Sequence, residues 1–239
     1  GLKMHPELIK SVAQIKKAAA ITNFEVGELD KKRASAITQA CDEIIGGKLH
    51  DQFIVDPIQG GAGTSLNMNA NEVIANRSGE ILGCPKGSYK MVHPNDHVNM
   101  AQSTNDVIPT AGKLTVLDLL APLEKALVRL EKELAKKAEE FDDVITMGRT
   151  QLQDAVPIRL GQVFPGYASM VSRDRKRIEK AHREMYTVNL GGTAVGTAIN
   201  VSDSYFYKIV PNLEKITGYP LKQAEDLFDA TENLDGFVA

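Results

Sequence analysis

Cysteine is nearly absent: only Cys41 and Cys84 occur among 239 residues, at no metal-type spacing. That excludes a disulfide framework and fits a reducing cytoplasm. No apolar stretch approaches the roughly 20 residues that a membrane-spanning helix requires, and the first residues lack the pattern of a secretory signal. Charge of one sign is also missing. With 28 basic against 31 acidic residues and a net charge of −3, there is no electrostatic case for a nucleic-acid partner. Strand-like and helix-like segments do not alternate, and no internal repeat is present. Asn76-Arg77-Ser78 and Asn200-Val201-Ser202 match the glycosylation pattern, but without a secretory signal both are chance matches.

What remains is an ordinary globular composition, 43% hydrophobic and 25% charged, long enough for one large or two modest domains. Most of it reads as helix. Val116, Leu120, Leu123, Leu127, Leu130 and Leu134 alternate in steps of four and three, a heptad seam. A second seam runs through Phe164, Tyr167, Val171, Ile178, Ala181 and Met185, interrupted at Asp174. Long helices are predicted near residues 106–139 and 157–189. Pro157 is placed in the first turn of the latter and Gly191-Gly192 at its stop. Pro122 should bend the first or loosen one of its hydrogen bonds. Residues 5–20 and 24–45 are also predicted helical, with Gly46-Gly47 closing the latter, and Gln223 to Ala239 begins another helix. The fold class is mainly α, with long helices in a bundle. Helices of this kind can bury a second face against a neighbouring copy, although an intramolecular bundle gives the same spacing.

Three segments carry the chemistry. Residues 93–106 read His-Pro-Asn-Asp-His-Val-Asn-Met-Ala-Gln-Ser-Thr-Asn-Asp. Ser103, Thr104, Asn105 and Asp106 are all good helix N-caps, and four in a row exceed what one helix start needs. The surplus donors lie beside the positive end of a helix dipole and suit a carboxylate or phosphate; the plain alternative is an over-capped surface helix. Gln59 to Asn69 is glycine-rich but lacks the Gly-Lys-Ser/Thr ending of a phosphate loop. Met147 to Pro157 is a polar turn carrying Arg149, Thr150 and Gln151. Each alone could be a structural connection. Together, three hydroxyl-bearing turns leading into long helices look like one composite site.

His93 and His97 flank Asp96 at a spacing that would suit a metal on a helix, but Pro94 and the neighbouring asparagines favour a turn. No metal is expected. No Ser-His-Asp or Cys-His arrangement stands out. The donors on offer are neutral, which points to binding an anion and stabilising charge that develops on it.

In this order and separation the three segments resemble the leading signature regions of the aspartase/fumarase superfamily, and the likeness runs along essentially the whole chain. The resemblance implies an L-aspartase-like fold, with a smaller N-terminal helical domain (residues 1–105) and a central long-helix bundle (106–239). It also implies a cytoplasmic homotetramer with active sites shared between subunits, acting on a small dicarboxylate without a cofactor. Gly-Gly-Ala-Gly-Thr-Ser at 60–65, His97 in His-Pro-Asn-Asp-His, and Gln151 after Thr150 resemble the aspartase branch more than the fumarase branch.

The reaction so implied is reversible deamination of L-aspartate to fumarate and ammonia through an aci-carboxylate. By the same resemblance, Ser103 and Thr104 hold the β-carboxylate as it gains charge. Thr64 and Asn105 contact the amino group with Gln151 nearby, Thr150 binds the α-carboxylate, and His93 and Asn95 belong to a secondary anion site. One departure is large. The superfamily's Gly-Ser-Ser-x-Met-Pro-x-Lys-x-Asn loop, which carries the serine general base, does not occur in this sequence. The chain therefore reads as an internal fragment that lacks its base and is inactive alone. Fumarate hydration on the same fold and a non-catalytic helical assembly fragment are the competing expectations.

Overall fold

The computed structural model describes residues 1–58 and 61–238; Gln59 and Gly60, at the start of the glycine-rich segment, lie outside the described residues. Among the described residues, eight α-helices dominate, with short strands between them. The chain divides into two compact units, one formed by Gly1–Val116 together with the chain from Glu184 onward, the other by Leu117–Arg183.

The first unit is built around α1 (Pro6–Glu25), which packs against α2 (Lys31–Ile45) and α6 (Asp203–Thr217). Ile15 and Ala19 of α1, Ile37, Ala40 and Ile44 of α2, and Ile209 and Leu213 of α6 are completely buried. Each such large apolar side chain contributes about 1.5–3 kcal/mol by leaving water. α3 (Thr64–Ile81) joins α2 through Arg77, whose Nε and Nη2 reach the two carboxylate oxygens of Glu43 at 2.8 and 2.9 Å. α4 (Thr104–Glu140) contributes Val107, Ala111 and Leu114 to this core, all fully buried. Beyond residue 184 the chain forms β3 (Thr187–Val188), α6 and β4 (Lys222–Gln223), β3 and β4 pairing in parallel, and then α7 (Leu227–Glu232) and α8 (Asp235–Val238).

The second unit holds the later turns of α4, an antiparallel hairpin of β1 (Ile145–Thr150) and β2 (Gln153–Arg159), and α5 (Phe164–Glu184). Arg175 of α5 donates to Glu131 of α4 at 2.7 Å. Gly161 sits where α4 ends: a Cβ there would lie 2.5 Å from the Ala138 carbonyl oxygen and 2.7 Å from Asp142 Cα. No side chain fits.

Several sequence expectations are corrected. The predicted helix from 157 starts at Phe164, because residues 153–159 pair with β1 and Pro157 stands opposite Met147 in the hairpin. Proline is tolerated in a strand with a free edge, and it disfavours helix at the preceding residue. Pro165, not Pro157, occupies the first turn of α5. That helix ends at Glu184, before Gly191-Gly192, and the chain turns into β3 instead. The helix predicted from 24 begins at Lys31, where the Asp30 side chain caps it by accepting from Arg33 N–H at 3.0 Å; it closes at Gly46 as expected. The final stretch is two short helices after β4 rather than one, since Asp226 starts α7 and Asn233 ends it.

Candidate functional site

The start of α4 is organised by a reciprocal cap. Ser103 Oγ accepts from Asn105 N–H at 3.3 Å, and Asp106 Oδ1 accepts from Ser103 N–H at 3.0 Å, a capping box with aspartate as the third helical residue. Ser103 and Asp106 thus cap the helix start, and the side chains of Thr104 and Asn105 take no part in that cap. Asp106 is fully buried and also accepts from the N–H groups of Gly191 and Thr193, each at 3.1 Å. Burial pushes its carboxyl above the usual range, against the pull of the three backbone donors and of nearby Lys16.

Thr104 and Asn105 have opposite polarity. Thr104 Oγ1 accepts from Asn67 Nδ2 at 3.2 Å, which leaves its hydroxyl hydrogen to be donated elsewhere. Asn105 gives its Nδ2 to the carbonyl of Ala194 at 2.7 Å, so the free end of its side chain is an oxygen that can only accept. Both side chains are half-buried. The carbonyl of Asn105 is held by Asn189 Nδ2 at 3.0 Å.

Thr64 is brought to the same place. It is the first residue of α3, capped by Gly63 at φ 85°, where a Cβ would lie 2.8 Å from Ile108 of α4. Only glycine permits so close an approach in that backbone conformation. One turn further along α3, Asn67 makes the bond to Thr104. The exposed Thr64 and the spare groups of α4 thus belong to one pair of adjacent helix starts.

His93 and Asn95 flank Pro94 at the start of a five-residue π-helix, Pro94–Val98, so the segment expected as a plain turn is one short helical turn. His93 Nδ1 accepts from the N–H groups of Asn95 and Asp96, both at 3.3 Å. Asp96 Oδ2 also lies 3.3 Å from that nitrogen, but a ring nitrogen that accepts from backbone carries no proton for an ion pair. His97 Nδ1 accepts from His93 N–H at 2.8 Å, and burial, with Arg33 nearby, lowers the proton affinity of His97. Among the described residues no group of three or more His, Cys, Asp or Glu is placed to hold a metal ion.

Thr150 and Gln151 lie in the second unit, at the tip of the β1–β2 hairpin. Gln151 and Leu152 both have positive φ, 53° and 61°, as a two-residue turn with Thr150 opposite Gln153 requires. Thr150, Gln151 and Leu152 are exposed.

A family model described as Lyase matches residues 2–239. The chain belongs to the lyase family. The chain is 54% identical over 238 residues to the aspartate ammonia-lyase of Bacillus subtilis, an alignment that takes in 100% of this chain and 50% of that protein. Among solved structures, a fumarate lyase:delta crystallin of Brucella melitensis bound to cobalt aligns with a TM-score of 0.92 at 49% identity, covering 98% of this chain and 51% of the other. A class II fumarase of Schistosoma mansoni gives 0.90 at 35%, covering 99% and 53%. The mainly helical, L-aspartase-like fold expected from the sequence is thereby shown. The chain spans about half the length of the curated relatives it matches. Among the described residues, no helix is long and apolar enough to cross a membrane.

Reading the sequence missed the groups behind the site: Lys16, Asn67, Asn99 and Asn189. A signal existed for two of them. Lys16 shares a helical face with Val12, Ala13, Ala19 and Ala20, and Asn67 shares one with Ala70 and Ile74. A polar residue on an apolar face has to find a partner.

Proposed function

We propose that the full-length subunit containing this chain deaminates L-aspartate reversibly to fumarate and ammonia. The observation that carries this reading is the opposed polarity of two consecutive residues. Thr104 offers a hydroxyl hydrogen, suited to a carboxylate that gains charge, while Asn105 offers an oxygen, suited to an ammonium group. The 54% identity to an aspartate ammonia-lyase supports the same substrate.

The difficulty of the reaction lies in removing a proton beside a carboxylate, because the resulting aci-carboxylate is very unstable in water. Ser103 and Thr104 would stabilise it with preorganised donors at the positive end of α4. Thr64 and Asn105, with Gln151 nearby, would hold the amino group without an anionic partner that would retain the leaving ammonium. Thr150 would bind the α-carboxylate, and the serine base would come from a loop outside this sequence. His93 and Asn95 would form a secondary anion site.

The same reading includes a cytoplasmic homotetramer, a division at residues 105/106 into N-terminal and central domains, and sites completed by neighbouring subunits. The seam of α4 supports assembly, because Leu123 and Leu130 are left 44% and 46% exposed in the single chain.

Fumarate hydration is the second reading, favoured by the structural likeness to a class II fumarase. A fumarate-absorbance assay on the full-length enzyme separates the two. Ammonia-dependent loss of fumarate supports deamination, and loss without ammonia supports hydration and overturns it.

A further inference from the structure

A line of buried polar groups runs from Thr104 into the core. Lys16 Nζ, on α1 and fully buried, donates to Asn99 Oδ1 at 2.8 Å. Asn67 Nδ2 donates to that same oxygen at 3.3 Å and, with its second hydrogen, to Thr104 Oγ1 at 3.2 Å. Asn67 is 1% exposed.

The sense of every bond in this line is decided at its far end. A lysine amine presents hydrogens whether or not it is charged here, so Asn99 turns its oxygen toward it. An oxygen there requires Asn67 to present nitrogen, since a flipped amide would set oxygen against oxygen. Both hydrogens of that nitrogen are then committed, and Thr104 is the acceptor. Its own hydrogen is left for a ligand. A threonine hydroxyl otherwise rotates freely, and pointing it at the wrong partner forfeits a donor aimed at developing charge.

We propose that Asn67 is a positioning residue for Thr104, with Lys16 setting the polarity of the line, so that the Thr104 hydroxyl is held as a donor toward the substrate carboxylate. This rests on the role given to Thr104 above. It assigns work to two residues that touch no substrate, and it accounts for a lysine and an asparagine placed in an apolar core, where burial is costly.

The test is a double-mutant cycle in the full-length enzyme. Asn67→Asp keeps the shape but accepts where the amide donated, so the Thr104 hydroxyl turns inward. Turnover should fall about 10²-fold, the scale for one lost oxyanion donor, with KM changed by less than about threefold. In a Thr104→Val background the same change should cost less than about threefold, because the donor it controls is already gone. Lys16→Met, should Asn67→Asp fail to assemble, should likewise lower turnover at held KM, and only when Thr104 is present. Equal losses in both backgrounds, or a loss confined to KM, would overturn the inference. All variants are assayed with L-aspartate and L-malate, which share the carboxylate. Turnover of L-malate alone by the unaltered enzyme removes the deamination reading while the cycle is read on L-malate. Turnover of neither overturns both.

Discussion

Asn105 and Ala194 are 89 residues apart in sequence and joined at 2.7 Å, side-chain amide to backbone carbonyl. That bond does two things. It ties the first turn of α4 to the loop after β3, and it fixes which end of Asn105 a ligand meets.

Asn105→Ala in the full-length enzyme should weaken recognition of the amino group more than of either carboxylate. A hydrogen bond to a charged group contributes about 1.5–3 kcal/mol, so kcat/KM for L-aspartate should fall roughly 10- to 150-fold, mostly through KM. Steady-state kinetics check this, together with fumarate inhibition, which should change little. Unaltered KM for L-aspartate would remove Asn105 from the amino pocket.

Thr104→Val and Thr150→Val should separate the two carboxylates. The first removes a donor aimed at developing charge and should lower turnover by roughly 10²–10³. The second removes a contact whose partner gains no charge, and it should act mainly on KM. The reverse pattern in the kinetic constants would mean that the pockets are exchanged.

Stability should depend on pH through Lys16. Burial lowers its pKa from 10.5 to about 7, with Asp106 and Cys41 pulling it back up. The folded state therefore holds the proton less firmly than the unfolded chain does. Between about 7 and 10.5 the unfolded state binds more protons, so stability rises with pH across that window, by at most about 1.4 kcal/mol per unit. Urea midpoints at pH 7 and 9.5 should show the rise, and Lys16→Met should flatten it while leaving the midpoint equal or higher at pH 7. Other groups titrate in the same window, so the difference between the two proteins is the quantity to read.

Gly161→Ala should destabilise the second unit. The new methyl would meet backbone atoms of Ala138 and Asp142 at 2.5–2.9 Å, and backbone cannot rotate away. Overpacking of this kind costs about 1–3 kcal/mol. Denaturation of the chain should show it. A midpoint within error of the parent would mean that the end of α4 shifts freely.

The long helices were legible because heptad spacing survives any partner. The Val116–Leu134 seam fell within α4, and Phe164–Met185 followed α5 from its first residue to one position past its end. The hairpin was not legible, since Pro157 suits both a helix start and an edge strand and only pairing decides. Nor was the stripe that α4 buries in the first unit, Val107, Ala111 and Leu114, which is offset from the seam that continues beyond it. At the site, the excess of capping residues at 103–106 was visible. Which of them cap and which are spare depends on Asp106 meeting Gly191 and Thr193. Local sequence carries no record of a contact made so far along the chain.

That distance sets an order of events during synthesis. The carboxylate that seals the first turn of α4 waits for amides 85 and 87 residues downstream, and Asn105 waits for Ala194, 89 residues on. Such closures come late, because the entropy of the intervening chain must be given up first. A nascent subunit released before residue 194 would carry every spare side chain of α4 and still present the wrong faces to a substrate. Its pocket would be among the last parts of the chain to mature.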